Sequence, residues 1–319
     1  MRKITGIGET VLDIIFKEDK PVAAIPGGST FNALISLGRT AGKIFPETKV
    51  LMVTETGDDH IGDIVTSFMH GNGVSTEAVS RNAGTQSHLS LAFLDSDNNA
   101  SYEFYKDHQS ASLQETAISP ISFRKDDLVI FGSYFAINPK IRKYTKSLLE
   151  QAHDSGAVLY YDVNFRKSHM DEIPDLMPAI EENMSLSDFV RGSSEDFAYL
   201  YGTQDPEKIY NGHVRRFCQN FICTCGPDPI HVFSGERHLI FPVAGCQTVS
   251  TIGAGDSFNA GFIFSLIQKG ISKDDAGKLD ESQWGDAVSI ASRFSANVCR
   301  SIFNYVDEDF AETLRQIIV

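Results

Sequence analysis

The chain has 319 residues, with 28 Lys+Arg against 42 Asp+Glu, a formal charge of −14, and 42% hydrophobic content. That balance argues against nucleic acid as a partner, since tracking phosphates needs a basic face. No apolar run reaches the ~18–20 residues of a membrane span. Five cysteines (Cys218, Cys223, Cys225, Cys246 and Cys299) are too few for a disulfide scaffold in a chain this long. Met1-Arg2-Lys3 leads directly into a strand-like segment and not into a signal peptide, so the expectation is a cytoplasmic protein with reduced thiols.

In chain order, Lys3–Glu9 reads as a first strand. A helix follows at 30–42, with Phe31, Leu34, Ile35 and Gly38 at helical spacing. Residues 50–55 read as a strand, and 61–70 as a helix presenting Ile61, Ile64, Val65 and Phe68 on one face. The pattern then changes: 89–94 and 100–105 form two strands around the polar cluster Asp95-Ser-Asp-Asn-Asn99. Alternation resumes with a strand at 128–131, a helix at 140–153 and a strand at 158–161. It continues with a strand at 186–190, a helix at 194–201 and a strand at 221–224. A hairpin at 230–241 turns at Ser234-Gly235, and two last helices occupy about 254–269 and 284–300. Such alternation predicts an α/β fold with a mainly parallel sheet covered on both faces. The hairpin at 88–107 interrupts it and is expected, with 11–25, to form an inserted β appendage.

The chemistry concentrates in Ser250-Thr-Ile-Gly-Ala-Gly-Asp-Ser-Phe258, where small residues precede a long apolar helix. Gly253-Ala254-Gly255 falls where a loop becomes a helix N-terminus. Unpaired N–H groups and the positive end of the helix dipole there favour an anion such as phosphate. Asp256 at its edge is placed either to accept a proton from a hydroxyl or to cap the helix. The helix terminus is expected to lower its pKa, making it a weak base for an alcohol. Other phosphate motifs fail: Gly38-Arg-Thr-Ala-Gly-Lys43 is one residue short of a Walker loop, and Gly6-Ile-Gly8 lacks a third glycine. Neither the histidines nor Cys223 and Cys225 have zinc spacing.

Taken together, these segments resemble the ribokinase-like (PfkB) family of carbohydrate kinases. Thr251–Phe258 is similar to its C-terminal signature, and Gly27-Gly-Ser-Thr-Phe-Asn32 through Gly38 to its N-terminal one. Gly57-Asp-Asp-His-Ile-Gly62, Asp162-Val-Asn-Phe-Arg166 and Thr224-Cys-Gly226 match in family order. The resemblance implies a three-layer α/β/α sandwich with a small β-sheet lid, as one domain over 1–319 with the lid inserted from about 11–25 and 86–108. It implies ATP and Mg²⁺, with Asp256 as catalytic base and Gly253, Ala254 and Gly255 as the anion hole. Thr224, Gly226 and Asn297 become the nucleotide contacts, Asn297 being equally readable as a surface residue. For the sugar it implies Asp13, Gly27, Gly28, Asn32 and Arg166. Tyr105, in Phe104-Tyr-Lys106, either packs on the sugar or is a sheet residue. Lid-to-lid pairing implies a homodimer.

The chain departs from the family at two points. Ser250 stands where the family commonly has an Asp that helps organise a monovalent-cation site. Ser193-Ser-Glu-Asp196 replaces Asn-x-x-Glu, leaving Asp196 as the carboxylate for metal and Ser193 as a candidate helix cap. The resemblance is to the fructokinase and 2-keto-3-deoxygluconate kinase branch. Fructose is the first candidate substrate, with 2-keto-3-deoxygluconate, ribose or a nucleoside as alternatives. A non-catalytic sugar or nucleotide sensor is the alternative of another class.

Overall fold

A computed structural model describes residues 2–94, 100–105 and 121–317. The strands are β1 (Lys3–Ile7), β2 (Val11–Lys17), β3 (Lys20–Gly27), β4 (Lys49–Gly57), β5 (Val74–Ser75), β6 (Val79–Asn82) and β7 (Leu89–Leu94). The series continues with β8 (Ala100–Tyr105), β9 (Leu128–Gly132), β10 (Val158–Asp162), β11 (Phe189–Ser193), β12 (Asn220–Cys225), β13 (Asp228–Ser234) and β14 (Arg237–Phe241). The helices are α1 (Ser29–Arg39), α2 (Ala41–Ile44), α3 (His60–Gly71), α4 (Arg142–Asp154), α5 (Ile173–Leu186) and α6 (Ser194–Tyr201). After them come α7 (Pro206–Ile209), α8 (Ala254–Gln268), α9 (Glu281–Val298) and α10 (Phe310–Ile317).

The central sheet runs β14-β13-β12-β11-β10-β9-β1-β4-β5, with β6 also on β4. It is parallel from β12 to β5 and antiparallel only at the β13–β14 edge. β9 and β10 are buried along their whole length, as strands covered on both faces must be. Alternate residues feed two apolar layers. Met52, Ile130 and Tyr160 pack with Phe31 of α1, Phe262 of α8, Trp284 of α9 and Phe310 of α10. Val53, Phe131 and Tyr161 pack with Leu149 of α4, Ile180 of α5 and Phe197 of α6. The result is the expected three-layer α/β/α arrangement. A separate four-stranded sheet, β3-β2-β7-β8, stands beside it.

In that small sheet β7 pairs parallel to β2 and antiparallel to β8, from Leu89↔Tyr105 to Leu94↔Ala100. The two strands expected at 89–94 and 100–105 therefore form; the cluster at 95–99 and Lys106 lie outside the described residues. Three expectations need correction. The strand read at 186–190 is β11, from 189 to 193, because Leu186 ends α5. Pro174 at the start of α5 and Pro178 within it hid that helix, although an early proline costs few hydrogen bonds. In α3, Val65 and Met69 are buried while Ile64 is exposed, so the apolar stripe is rotated from the one expected. The last two helices are joined by a third, α10, whose Leu314 is fully buried. All five thiols are free, and among the described residues no helix is long and apolar enough to cross a membrane.

Candidate active site

Parallel strands deliver their C-terminal ends to one edge of the sheet, where open α/β folds bind ligands. The N-terminus of α8 is at that edge. Gly253 precedes it in the left-handed region at φ 75°, and a Cβ there would meet the Asn304 carbonyl oxygen at 2.4 Å. Only glycine satisfies both demands. The helix takes no side-chain cap. Ala254 N–H bonds back to Thr251, whereas Gly255 and Asp256 N–H find no acceptor among the described residues. Two adjacent donors at the positive end of a fifteen-residue helix have the chemistry to receive an anion.

Asp256 is held from α1. Ser29 Oγ donates to Oδ1 at 2.7 Å and Asn32 Nδ2 to Oδ2 at 2.9 Å. Its pKa is raised, against the expectation drawn from the helix terminus. Withdrawal from water is the largest cause, the Ser29 and Asn32 hydrogen bonds oppose it, and the Asp162 charge adds to it. The carboxylate is therefore a better proton acceptor than its position in the helix suggested.

Asp13 lies on β2 and is 8% exposed. Burial pushes its pKa up to about 6; the Ser90 hydroxyl opposes this, and the charges of Asp256 and Glu9 add to it. A Cβ at Gly27 would sit 2.5 Å from Asp13 Oδ2, and one at Gly28, at φ 122°, would sit 2.4 Å from the Glu9 carbonyl oxygen. The Gly-Gly pair thus lets two segments close on the carboxylate. Asn32, expected among the sugar contacts, has its amide nitrogen on Asp256, while its Oδ1 is buried without a partner. Tyr105 is an exposed residue of β8 with its hydroxyl 3.3 Å from Glu103. The structure brings Asp13, Gly27, Gly28, Asn32 and Asp256 together and leaves Tyr105 on the surface of the small sheet.

Beneath α8 runs a buried polar chain that sequence reasoning did not assign. Tyr160 donates to Asn259 Oδ1 at 2.8 Å, and Asn259 Nδ2 to Asp162 Oδ2 at 2.8 Å. Arg191 donates to Asp162 Oδ1 at 3.0 Å and to Thr224 Oγ1 at 2.6 Å. A signal existed: Phe189-Val190 leads straight into Arg191, so a strand continued past Val190 buries an arginine that must be paired. Ser29, inside the Gly27–Asn32 motif, likewise carried no expected role. Thr224 spends its hydroxyl on Arg191, and Gly226, at φ 62°, turns the chain from β12 into β13. Arg166 is exposed at the same edge, and Asn164 just before it has φ 37°.

Asp196 forms a capping box with Ser193: its N–H donates to Ser193 Oγ at 3.1 Å and its Oδ2 accepts from Ser193 N–H at 2.7 Å. The cap read for Ser193 is thus present. Burial raises Asp196 to about 6, with Asp162 adding and Arg191 opposing. Among the described residues no three His, Cys, Asp or Glu side chains group to hold a metal ion. Asn297 lines a groove of 460 Å³ between α9, α10 and the segment after β14, and it bonds Asp307 through both ends of its amide. Ser292 lines the same groove with a buried hydroxyl lacking a partner.

A family model described as pfkB family carbohydrate kinase matches residues 1–302. The chain is 23% identical over 288 residues to probable fructokinase-5 of Arabidopsis thaliana, covering 88% of this chain and 87% of that one. It is 24% identical over 305 residues to aminoimidazole riboside kinase of Salmonella typhimurium, covering 94% and 88%. Among solved structures, fructokinase from Vibrio cholerae with fructose, ADP and calcium bound superposes with a TM-score of 0.81 at 21% identity, covering 95% and 94%.

Proposed function

Because this chain belongs to the pfkB family of carbohydrate kinases, we propose that it transfers the γ-phosphate of ATP to a hydroxyl of fructose. The observation that carries the reading is the Asp256 carboxylate, its pKa raised, beside the two unpartnered N–H groups that open α8. Asp256 accepts the hydroxyl proton as the sugar oxygen attacks. The N–H groups of Gly255 and Asp256 receive the charge on the transferred phosphoryl group, with Gly253 and Ala254 shaping the turn. Asp13 and Asn32 Oδ1 take sugar hydroxyls, which donate to both. Arg166, exposed and positive, adds a phosphate contact. The groove beside Asn297 and Ser292 takes the base, and Thr224 and Gly226 border the phosphates.

Mg²⁺ neutralises phosphate charge when bound. With Asp162 tied to Arg191 and Asn259, and Asp196 closing its capping box, the described residues hold no dedicated cage. That suits an ion carried mostly by the nucleotide and water. The small sheet acts as a lid that excludes water as a competing acceptor. Its terminal strand β8 supports pairing of two copies, which light scattering at working concentration tests. The compartment consistent with free thiols is the cytoplasm.

The deciding measurement is ADP release with ATP·Mg²⁺ and fructose, ribose, 2-keto-3-deoxygluconate or aminoimidazole riboside. Fructose should stimulate release most. Stimulation by the riboside alone would establish the second reading, favoured by the likeness to aminoimidazole riboside kinase. No stimulation by any of them overturns the kinase proposal in favour of a sensor.

A further inference from the structure

We propose that Arg191 is a positioning residue for phosphoryl transfer: its guanidinium forms the floor of the α8 anion site and fixes Thr224, and so acts on ATP and not on the sugar. The inference rests on the sugar-kinase reading above. Arg191 is the middle residue of β11, hydrogen-bonded between β10 and β12. Its side chain is 8% exposed and reaches Asp162 on one neighbour and Thr224 on the other. One guanidinium therefore links the C-terminal ends of three consecutive strands. A Cβ on Gly255 would stand 3.0 Å from both Nη1 and Nη2, so the charged group packs against the Cβ side of Gly255.

Two physical points separate this arrangement from ordinary packing. First, burying an arginine beside Asp162 and Asp196 gains little over apolar residues of similar volume, so stability alone does not account for it. Second, a guanidinium carries five N–H donors in a fixed plane. Here Nη1 and Nη2 are engaged, while Nε is buried with no partner. The plane is thus oriented by Asp162 and Thr224, and its charge is set behind the donors that would meet the transferring phosphate. At that depth a fixed charge is screened far less than at the surface. Asp162, in the same chain, also contributes to the raised pKa of Asp256. Arg191 therefore sits against the anion site without touching the sugar side, where Asp13 and Gly27 lie.

The test uses Arg191→Met and Arg191→Lys in the full chain, with kcat, KM for each substrate, ATP affinity by calorimetry and a thermal melt. Arg191→Met should lower kcat by about 10²-fold and raise KM for ATP, with KM for the sugar within twofold. Arg191→Lys, which keeps the charge but not the fork, should recover part of the loss. Equal rises in both KM values, or no recovery with Lys at matched melting temperature, overturn the proposal. If Arg191→Met does not fold, Gly255→Ala serves, because its Cβ, 3.0 Å from Nη1 and Nη2, presses the guanidinium back by a few tenths of an ångström. Gly255→Ala should lower kcat in the wild-type background and cost less beside Arg191→Lys; additive losses overturn the proposal. Should the wild type phosphorylate no sugar, the kinase reading fails separately, and Arg191 is judged on ATP affinity alone: unchanged affinity in Arg191→Met overturns it.

Discussion

Asn32 Nδ2 lies 2.9 Å from Asp256 Oδ2, joining helices α1 and α8 across 224 residues of sequence. The two glycine-bearing motifs, far apart in the chain, are thus two halves of one contact. The amide stabilises the ionised carboxylate and opposes the burial that raises its pKa. Asn32→Ala should raise that pKa further. A base works ionised, so the acidic limb of the kcat/KM profile should move to higher pH. A limb that stays in place or moves to lower pH contradicts this coupling. Asp256→Asn should lower turnover by roughly 10²-fold or more with the melt preserved; turnover within twofold of wild type removes Asp256 from the role of base.

Asp13 makes a prediction about stability. Its folded pKa of about 6 lies above the ordinary carboxylate value of 3.8. The folded state therefore holds this proton more tightly than the unfolded state. The associated stability is present below pH ~4 and is lost as pH rises through about 6, a difference of about 3 kcal/mol from the shift. Asp13→Asn should raise the melting temperature at pH 8, with little gain at pH 4, while weakening sugar binding. Equal gains at both pH values would show that charge burial is not the cause.

Two glycines with nearly the same backbone conformation should respond differently to alanine. Gly202 has φ 70° with open space around a Cβ, so Gly202→Ala should cost about 1 kcal/mol and leave activity intact. Gly253 has φ 75° and the Asn304 carbonyl at 2.4 Å, so Gly253→Ala must also move backbone. Its melting temperature should fall further, and activity should fall with it. Thermal melts and turnover of the pair provide the comparison.

Asp59 caps α3 through Gly62 N–H at 2.8 Å and also accepts from Ser87 N–H and Oγ, both at 2.7 Å. It ties the entry of β7 to the central body. Asp59→Ala should cost about 1–2 kcal/mol. Hydrogen exchange should accelerate first at Ser87 and the start of β7, and uniform acceleration across the sheet would count against a local tie.

Features governed by short-range rules were legible in the sequence. Helix α6 was read with correct ends because Ser193 and Asp196 close a capping box and Gly202 takes the left-handed position. The loop-to-helix junction at Gly253–Gly255 was legible because small residues precede a long apolar helical run. The pKa of Asp256 was misjudged because α1 encloses it, and no local pattern reports burial by a segment more than two hundred residues away. Arg191 escaped because its partners, Asp162 and Thr224, become neighbours only through strand order. Helix α5 was hidden by prolines that its first turns tolerate, and Ile64 by a helical stripe whose rotation only packing decides.

Asp13 travels with the small sheet, locked in register to Ile25 and Ser90, while Asp256 belongs to the central layers. The described chain crosses between the two bodies at 8–10, at Gly28 and at 83–88. The small sheet is two hairpins, β2–β3 and β7–β8, joined by the parallel pairing of β2 with β7, so a tilt would carry all four strands together. Tilting alters the separation of two like charges that already feel one another. The angle of the plate and the proton occupancy of Asp13 are therefore linked variables: anything that neutralises one carboxylate reduces the work of bringing the two bodies together.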